Sequence, residues 1–345
     1  MKISIIIPAY NASNVIKKAL DSLINQTYQP YEIIVIDDGS TDDTKNIVEK
    51  YILDTGSKII RFYSRDNKGA MYTRKEGVNL SSGDYIMFLD SDDRLTLNCL
   101  MESVVLLKKY KPDILKFGYA KEIDSKIKYL SNYPFKNDLF YVNKFHYKQY
   151  IYPKLINTYF FNSMCFQFIK KEVFQLCKND YSFIMGEDFR FNLDLLTNSN
   201  SILIVNEHYY IYSFNESSVT STNDVEIRKK SINDVVDVYS SILDYLDKWD
   251  VLYLKNDVYN RILKECLLQI KFLLTTVNIS YNDFKLVMED IFPKIDFICD
   301  SNFSVSGINL ILLKNKWYFI LYLKYYVFYK FFYNVKQFIR KVVKI

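Results

Sequence analysis

Residues 83–93 read GDYIMFLDSDD, an apolar run that stops at three carboxylates. Such a run is typical of a buried strand in a parallel sheet, and the acids then lie just beyond its carboxyl end. Ligands of open α/β sheets bind at that edge. Asp90 and Asp92, two positions apart in a turn, could hold a hard divalent cation that clamps a diphosphate. The alternative is that Asp92 or Asp93 caps a following helix, predicted over Leu97–Lys109.

A second stretch repeats this arrangement. Residues 32–44 read EIIVIDDGSTDDT, so a buried strand again ends in paired acids and a turn of small residues. Thr41 and Asp42 are good helix N-caps, which explains the polar residues after the turn. Capping does not explain Asp37 and Asp38, because they precede the turn at the ligand-binding edge.

Strand and helix patterns alternate over the first 120 residues or so, which indicates βαβ units and a parallel sheet. The predicted strands are Lys2–Ile7, Glu32–Ile36, Ile59–Tyr63, Tyr85–Leu89 and Asp113–Tyr119. The predicted helices are Ser13–Asn25, Asp42–Tyr51, Ala70–Leu80 and Leu97–Lys109.

The pattern then changes. Residues 121–160 have no clear periodicity. Further predicted strands are Cys165–Ile169, Ile202–Val205 and Tyr209–Tyr212, with a short helix from Glu187 to Leu196. From Val225 onward the pattern is helical, over Val225–Lys248, Tyr253–Thr275 and Tyr281–Ile291.

Composition restricts the classes of protein. A chain of 345 residues can form one domain with an appendage, or two domains. Five cysteines without CxxC spacing and only two histidines argue against a zinc site and a disulfide framework, and they suggest a reducing cytosol. The N-terminus reads as a first strand rather than a signal peptide. Eight basic and no acidic residues follow from Lys314 on, without any nucleic-acid-binding motif.

Segments that follow the predicted strands resemble glycosyltransferase family 2. They are PAYN at 8–11, DDGSTD at 37–42 and DSDD at 90–93, and the stretch 67–85 and GEDF at 186–189 fit the same pattern. The resemblance covers residues 1–220. It implies an α/β GT-A fold, a Rossmann-like mixed sheet flanked by helices. We therefore expect a catalytic domain over 1–222 and a helical C-terminal region over 223–345.

The resemblance implies how a nucleotide-sugar donor binds. The turn of Pro8, Ala9 and Tyr10 would lie against the nucleobase, with Tyr10 available for stacking. Asp38 would accept a hydrogen bond from uracil N3–H or the ribose hydroxyls, and Asp37 would support it.

The same resemblance adds Lys68, Arg74, Asp90 and Ser91 to the nucleotide site. Asp90 would contact the ribose or a metal-bound water, and Arg74 would lie near the diphosphate or the wall of the base site. The alternative for Arg74 is an exposed charge on a helix. Asp92 would ligate Mn²⁺ or Mg²⁺, which stabilises the charge that grows on the leaving diphosphate.

For the acceptor side, the resemblance implies that Asp188 is the general base and that Glu187 orients the acceptor. A carboxylate suits this role because the acceptor hydroxyl loses a proton as it attacks. The alternative is that both acids merely occupy the first turn of a helix, where the macrodipole favours negative charge.

These assignments predict an inverting, hexosyltransferase-type enzyme. It would move one sugar from a UDP-sugar to a lipid-linked precursor of a bacterial surface polysaccharide such as a capsule. The alternatives are a protein or teichoic-acid-type acceptor, and a nucleotide-sugar-binding homologue without turnover. Intact Asp92 and Asp188 argue against the last. One departure from the family is Ser213, which follows Tyr212 where a basic residue is common.

A processive membrane synthase is disfavoured, because the chain lacks a Gln-x-x-Arg-Trp motif and any charge-free apolar run long enough to span a bilayer. The segment 317–345, called here the C-terminal segment, is rich in aromatic and basic residues. Five of its six basic side chains would fall in one sector of a helix. This predicts docking on an anionic membrane at its cytoplasmic face. The alternative is a packed helix with a solvated basic face.

Overall fold

The structure of the protein is a computed structural model that describes residues 1–123, 126–129, 133–178, 183–213, 224–277, 279–299, 313 and 317–327. The chain forms two compact units. The first comprises residues 1–182 and 187–215, and the second comprises residues 183–186 and 216–345. The expected domain boundary at residue 222 stays a prediction, since residues 214–223 lie outside the described ranges.

The described part of the first unit contains one mixed sheet. Its strands are β1 (Ile3–Ala9), β2 (Glu32–Asp38), β3 (Ile60–Arg65), β4 (Tyr85–Phe88), β5 (Arg94–Leu95), β6 (Ile114–Ile123), β7 (Lys126–Tyr129), β8 (Leu139–Asn143), β9 (Gln167–Lys170) and β10 (Ser201–Ser213). The order is β3-β2-β1-β4-β9-β6-β10-β5, with β7 on β6 and β8 on β10. Strands β1 to β4 run parallel, whereas β9 is antiparallel to both β4 and β6.

Helices connect these strands. They are α1 (Ile16–Ile24), α2 (Thr44–Thr55), α3 (Ala70–Leu80), α4 (Cys99–Tyr110), α5 (Tyr147–Tyr150), α6 (Tyr152–Asn157), α7 (Lys171–Gln175) and α8 (Glu187–Asn198), with a 3₁₀ turn at Lys144–His146. Helix α1 buries Ile16, Leu20 and Leu23 on one face, as its spacing requires. Helix α3 lies close to β1 because Gly77 leaves room for the side chain of Ile6. This contact fixes α3 against β1.

The mixed α/β sheet flanked by helices confirms the predicted fold class, and α3 has the predicted bounds. Two predictions are wrong. Helix α4 begins at Cys99 after Asn98, so neither Asp92 nor Asp93 caps it. The two strands predicted over 202–212 are one strand, β10, whose pairing with β6 shifts register near His208. That irregularity accounts for the break in its apolar pattern.

The described part of the second unit is helical. Its helices are α9 (Val225–Ser240), α10 (Leu243–Leu246), α11 (Lys255–Thr276), α12 (Tyr281–Ile291), α13 (Asp296–Cys299) and α14 (Tyr318–Tyr322). Short turns lie at Leu252–Leu254 and Phe292–Lys294, and a π-helical turn at Leu323–Val327. The prediction of one helix over Val225–Lys248 is wrong, because α9 ends at Ser240. Helix α12 has the predicted bounds.

The C-terminal segment is described only as far as Val327. In it, Leu321 is buried, and the Tyr322 hydroxyl donates a hydrogen bond to the Ile279 carbonyl at 3.1 Å. Trp317 and Phe319 are largely exposed. Its remaining residues, 328–345, lie outside the described ranges. Among the helices that the structure does describe, none is long and apolar enough to cross a membrane.

Candidate active site

Two turns at the carboxyl ends of β1 and β2 hold each other in place. The Asn11 amide oxygen accepts from the Thr41 N–H at 2.8 Å, and the Asn11 N–H donates to the Ser40 hydroxyl at 2.9 Å. Gly39, at φ 76°, permits the turn that brings Ser40 there. Between these contacts Tyr10 stays 53% exposed. Its ring is therefore accessible for stacking, whereas Ala9 beneath it is buried and Pro8 is half-buried.

Both carboxylates that end β2 are buried and engaged by protein donors. Asp37 accepts from the Ser40 N–H at 3.1 Å and from the Ser64 hydroxyl at 2.9 Å. Asp38 accepts from the N–H groups of Lys68 and Gly69 at 2.8 and 2.9 Å, and from Arg65. Asp38 thus fixes the loop before α3. A carboxylate has about four acceptor positions, and these contacts take three of them.

Lys68 belongs to this loop in two ways. Its N–H holds Asp38, while its ammonium group lies 4.7 Å from the centre of the Tyr72 ring. The side chain is exposed at the same edge of the sheet as Tyr10. The structure therefore leaves its charge accessible to an anionic ligand.

Arg74 connects the two predicted halves of the site. It projects from α3 and is only 6% exposed, so the alternative of an exposed helix charge is wrong. Its guanidinium lies 2.9 Å from Asp90 Oδ1, 3.0 Å from Glu187 Oε1 and 3.7 Å from Asp188 Oδ1. The carboxylates outweigh the desolvation of burial and raise the pKa of Arg74 well above its usual range. The cation therefore joins the donor-side and acceptor-side acids.

Glu187 and Asp188 occupy the first turn of α8, as the alternative reading also expected. Burial, opposed by Arg74, raises the pKa of Glu187 to about 7. Burial and the charge of Asp90 also raise the pKa of Asp188, against Arg74 and hydrogen bonds from the Met164 N–H (3.2 Å) and Ser163. Both carboxyl groups therefore hold a proton more readily than an exposed carboxyl group does, and a general base must accept a proton.

The DSDD stretch distributes its carboxylates among different partners. Asp90 pairs with Arg74, and its other oxygen lies 3.5 Å from the Cys165 sulfur. Asp93 is buried and accepts from the Tyr210 hydroxyl at 2.7 Å and from the Ser213 N–H at 2.8 Å. Ser91 and Asp92 are half-buried at the same edge. Asp93 thus contacts β10 and does not cap helix α4.

The carboxylates near Asp92 fit a metal ion that binds together with the phosphates of a substrate. Across the described ranges, no three His, Cys, Asp or Glu side chains are grouped to hold a metal ion. Magnesium is commonly bound by one or two carboxylates together with the phosphates of a substrate. Asp92, supported by Asp90 nearby, supplies that kind of donor. A resident metal held by protein groups alone does not fit these residues.

A buried polar network supports the segment that contacts Asp188. Lys116 on β6 is 0% exposed, and its ammonium donates to the Ser163 carbonyl at 3.2 Å and to Gln167 at 3.3 Å. Asn192 donates to the same carbonyl at 3.1 Å and accepts from Gln167 at 2.9 Å. Burial lowers the pKa of Lys116 to about 7. The sequence alone does not predict this network, and its signal there is a lysine inside an apolar strand.

The fold, the nucleotide-side turns and the paired acids define a GT-A-type transferase. The chain belongs to the family described as Glycosyl transferase family 2, whose sequence profile matches residues 4–177. This confirms the resemblance drawn from the motifs.

Known proteins agree with this membership. The chain is 28% identical over 224 residues to glycosyltransferase GlyA of Streptococcus pneumoniae, a match that spans 64% of this chain and 31% of GlyA. It is 36% identical over 128 residues to poly(ribitol-phosphate) beta-glucosyltransferase of Bacillus spizizenii, spanning 36% of this chain and 20% of that protein. The chain thus matches less than a third of either relative's length.

Among solved structures, the fold is similar to residues 1–349 of S. aureus TarS in complex with UDP-GlcNAc. The TM-score is 0.56 at 17% identity, and the similarity covers 92% of this chain and 91% of that one. This similarity in fold extends beyond the part matched by the family profile.

Proposed function

We propose that the protein is an inverting glycosyltransferase that moves one hexosyl unit from a UDP-sugar to a hydroxyl of a glycan acceptor. The observation that carries the proposal is the pairing of Arg74 with both donor-side Asp90 and acceptor-side Glu187, within 3.0 Å of each. One arginine thereby fixes the distance between the group that binds the donor and the helix turn that holds the base.

The reaction follows from these positions. The acceptor hydroxyl attacks the anomeric carbon, and its proton passes to Asp188. The bond from that carbon to the diphosphate oxygen breaks on the opposite face, so the anomeric configuration inverts and UDP leaves with the electron pair. A Mn²⁺ or Mg²⁺ ion bound with the donor at Asp92 would neutralise charge on the diphosphate. Tyr10 would stack on the base, and Lys68 would supply further positive charge.

The direct test is a donor screen. UDP-, GDP- and TDP-sugars are incubated with the protein and Mn²⁺, and released nucleotide is measured; transfer products are then analysed for anomeric configuration. We expect release from a UDP-sugar and an inverted product. A retained configuration, or release from none of the donors, would contradict the proposal.

Selectivity for uracil is expected to depend on Asp38. A carboxylate that accepts from uracil N3–H disfavours cytosine, which has no proton at N3 and would turn a nitrogen lone pair toward the carboxylate oxygens. Calorimetry should therefore show UDP binding more tightly than CDP or GDP, and Asp38→Asn should reduce the UDP-to-CDP ratio. Asp54→Asn, at an exposed position of α2, is the control. Equal loss of affinity for both nucleotides would instead mean that Asp38 only holds the Lys68 loop.

For the acceptor we propose a lipid-linked surface-polysaccharide precursor, which a membrane-docking C-terminal segment would help to reach from the cytoplasmic face. The teichoic-acid-type acceptor is the second candidate. The Bacillus relative favours it, because its name specifies action on poly(ribitol-phosphate).

Docking on an anionic membrane is expected to require residues 328–345, which carry five basic and no acidic side chains. Each basic residue near such a surface contributes about 1 kcal/mol at best. A chain ending after Val327 keeps the packed Leu321 and Tyr322 and should stay folded. In co-sedimentation, the full chain should bind anionic vesicles and release in high salt, whereas the shortened chain should not bind. Neutral vesicles are the control, and equal binding by both chains would contradict the prediction.

A further inference from the structure

A pocket of about 390 Å³ lies beside the acceptor-side acids in the first unit. Its wall includes Tyr119, Lys121, Tyr159, Ser163, Phe166 and Tyr212, and we call it the aromatic pocket. The rings of Tyr119 and Phe166 stack with centroids 4.4 Å apart, and Tyr212 meets Tyr119 edge-on at 6.5 Å. Tyr159 is 55% exposed at its rim. Aromatic walls with a few polar groups suit the C–H faces of a sugar or alditol.

The aromatic pocket adjoins the reacting groups on two sides. Ser163 bonds to Asp188, and so does the N–H of the next residue, Met164. Tyr212 also lines the pocket, and burial together with the charges of the DSDD carboxylates raises its pKa. A hydroxyl held in this pocket would therefore lie near both the base and the donor-side acids.

A row of lysines continues from the pocket along the β6–β7 hairpin. Lys121 pairs with Lys128, and Ile123 pairs with Lys126, so the three lysines and Tyr119 share one face of the sheet. We call these lysines the lysine face. Like charges directly opposite on adjacent strands destabilise the pair. Within the described ranges none of the three forms an ion pair. An anion from outside would relieve this repulsion.

We propose that the aromatic pocket and the lysine face form the acceptor subsite, and that the acceptor is a phosphate-bearing glycan. Its sugar or alditol unit lies on the aromatic rings with the reacting hydroxyl toward Asp188, and its phosphate contacts Lys121 and Lys128. This inference rests on the proposed function, because it takes Asp188 as the base.

The test compares acceptors with and without phosphate. The probes are a soluble oligomer of alditol phosphates and its phosphate-free counterpart, and a saccharide linked to a lipid diphosphate and its phosphate-free glycolipid. Binding is measured by calorimetry for the soluble pair and by vesicle titration for the lipid pair, in the presence of UDP. We expect the phosphate to strengthen binding in at least one pair, and the pair identifies the source of the phosphate. Equal binding in both pairs would overturn the proposal.

Variants locate the subsite. Lys121→Gln with Lys128→Gln should weaken binding of the phosphate-bearing probe about tenfold and flatten its salt dependence, without changing the binding of UDP. Lys45→Gln with Lys50→Gln, two exposed positions on α2, should have no effect. Tyr159→Ala should weaken the binding of the phosphate-bearing probe and of its phosphate-free counterpart by the same factor. An unchanged affinity in the Lys121/Lys128 double variant would overturn the assignment of the lysine face.

The donor reaction is followed separately. Hydrolysis of UDP-sugar should persist in the double variant, since neither lysine forms an ion pair with Asp90 in the part of the chain that the structure describes. A wild-type protein that binds the phosphate-bearing probe but hydrolyses no nucleotide sugar would refute the proposed function and leave the binding subsite standing.

Discussion

Replacing Asp188 by asparagine is expected to slow sugar transfer by roughly 10²–10⁴-fold, the usual contribution of a general base. The variant should keep its fold. The amide still accepts from the Met164 N–H, and Arg74 keeps Asp90 and Glu187 as partners. The measurement is the rate of transfer to a glycan acceptor, with UDP affinity measured in parallel and expected to be unchanged.

The pH dependence of sugar transfer distinguishes a general base at Asp188 from a carboxyl group with only a structural role. Burial raises the pKa of Asp188 and raises that of its neighbour Glu187 to about 7, so the pair holds a proton in acid. A base works only when ionised, and wild-type transfer should therefore rise with pH through the range in which the pair loses its proton. Asp188→Asn should lack this rise. If Asp188→Asn transfers normally while Glu187→Gln does not, the base is Glu187.

Local patterns in the sequence were sufficient for the elements that carry the donor motifs. The largely apolar runs before Asp37 and Asp90 form the inner strands β2 and β4, on either side of β1, and helix α3 has the predicted bounds. The carboxyl ends of parallel strands share an edge, so the motifs had to meet there. The family membership follows from the same residues.

Local patterns in the sequence could not predict the pairing of Arg74 with Glu187. The two residues are separated by 113 positions and by several strands of the sheet. The sequence indicated a cationic residue near the diphosphate, whereas the structure buries its charge among three carboxylates. Burial of a long basic side chain depends on partners from distant elements, and no local periodicity reports them.

Strand β7 could not be predicted for a different reason. All four of its residues, Lys126–Tyr129, are exposed, so no apolar face sets a period of two. Lys116 shows the converse problem. A strand that is buried on both faces can contain a buried charged side chain. The burial of Lys116 depends on Gln167 and Asn192, which come from distant elements of the chain.

Activity is expected to depend on a divalent metal ion held through Asp92. Asp92→Asn should reduce turnover by roughly 10²–10⁴-fold or more, since a neutral amide is a poorer ligand for a hard cation and the leaving diphosphate then keeps its charge. The fold should persist, because Asp90 and Asp93 keep their contacts with Arg74, Tyr210 and Ser213 in the variant.

The readout is the effect of Mn²⁺ on UDP affinity, measured by calorimetry with and without EDTA. In the wild type, Mn²⁺ should strengthen UDP binding; in Asp92→Asn the strengthening should be lost while binding without metal is unchanged. Asp84→Asn, at the opposite end of β4, is the matched control. Asp92 lies two positions after Asp90, and Arg74 forms ion pairs with both Asp90 and Glu187. Arg74 would therefore lie between the metal that assists the departure of UDP and the acids that remove the proton. Full activity in EDTA would show that the surrounding cations alone neutralise the diphosphate.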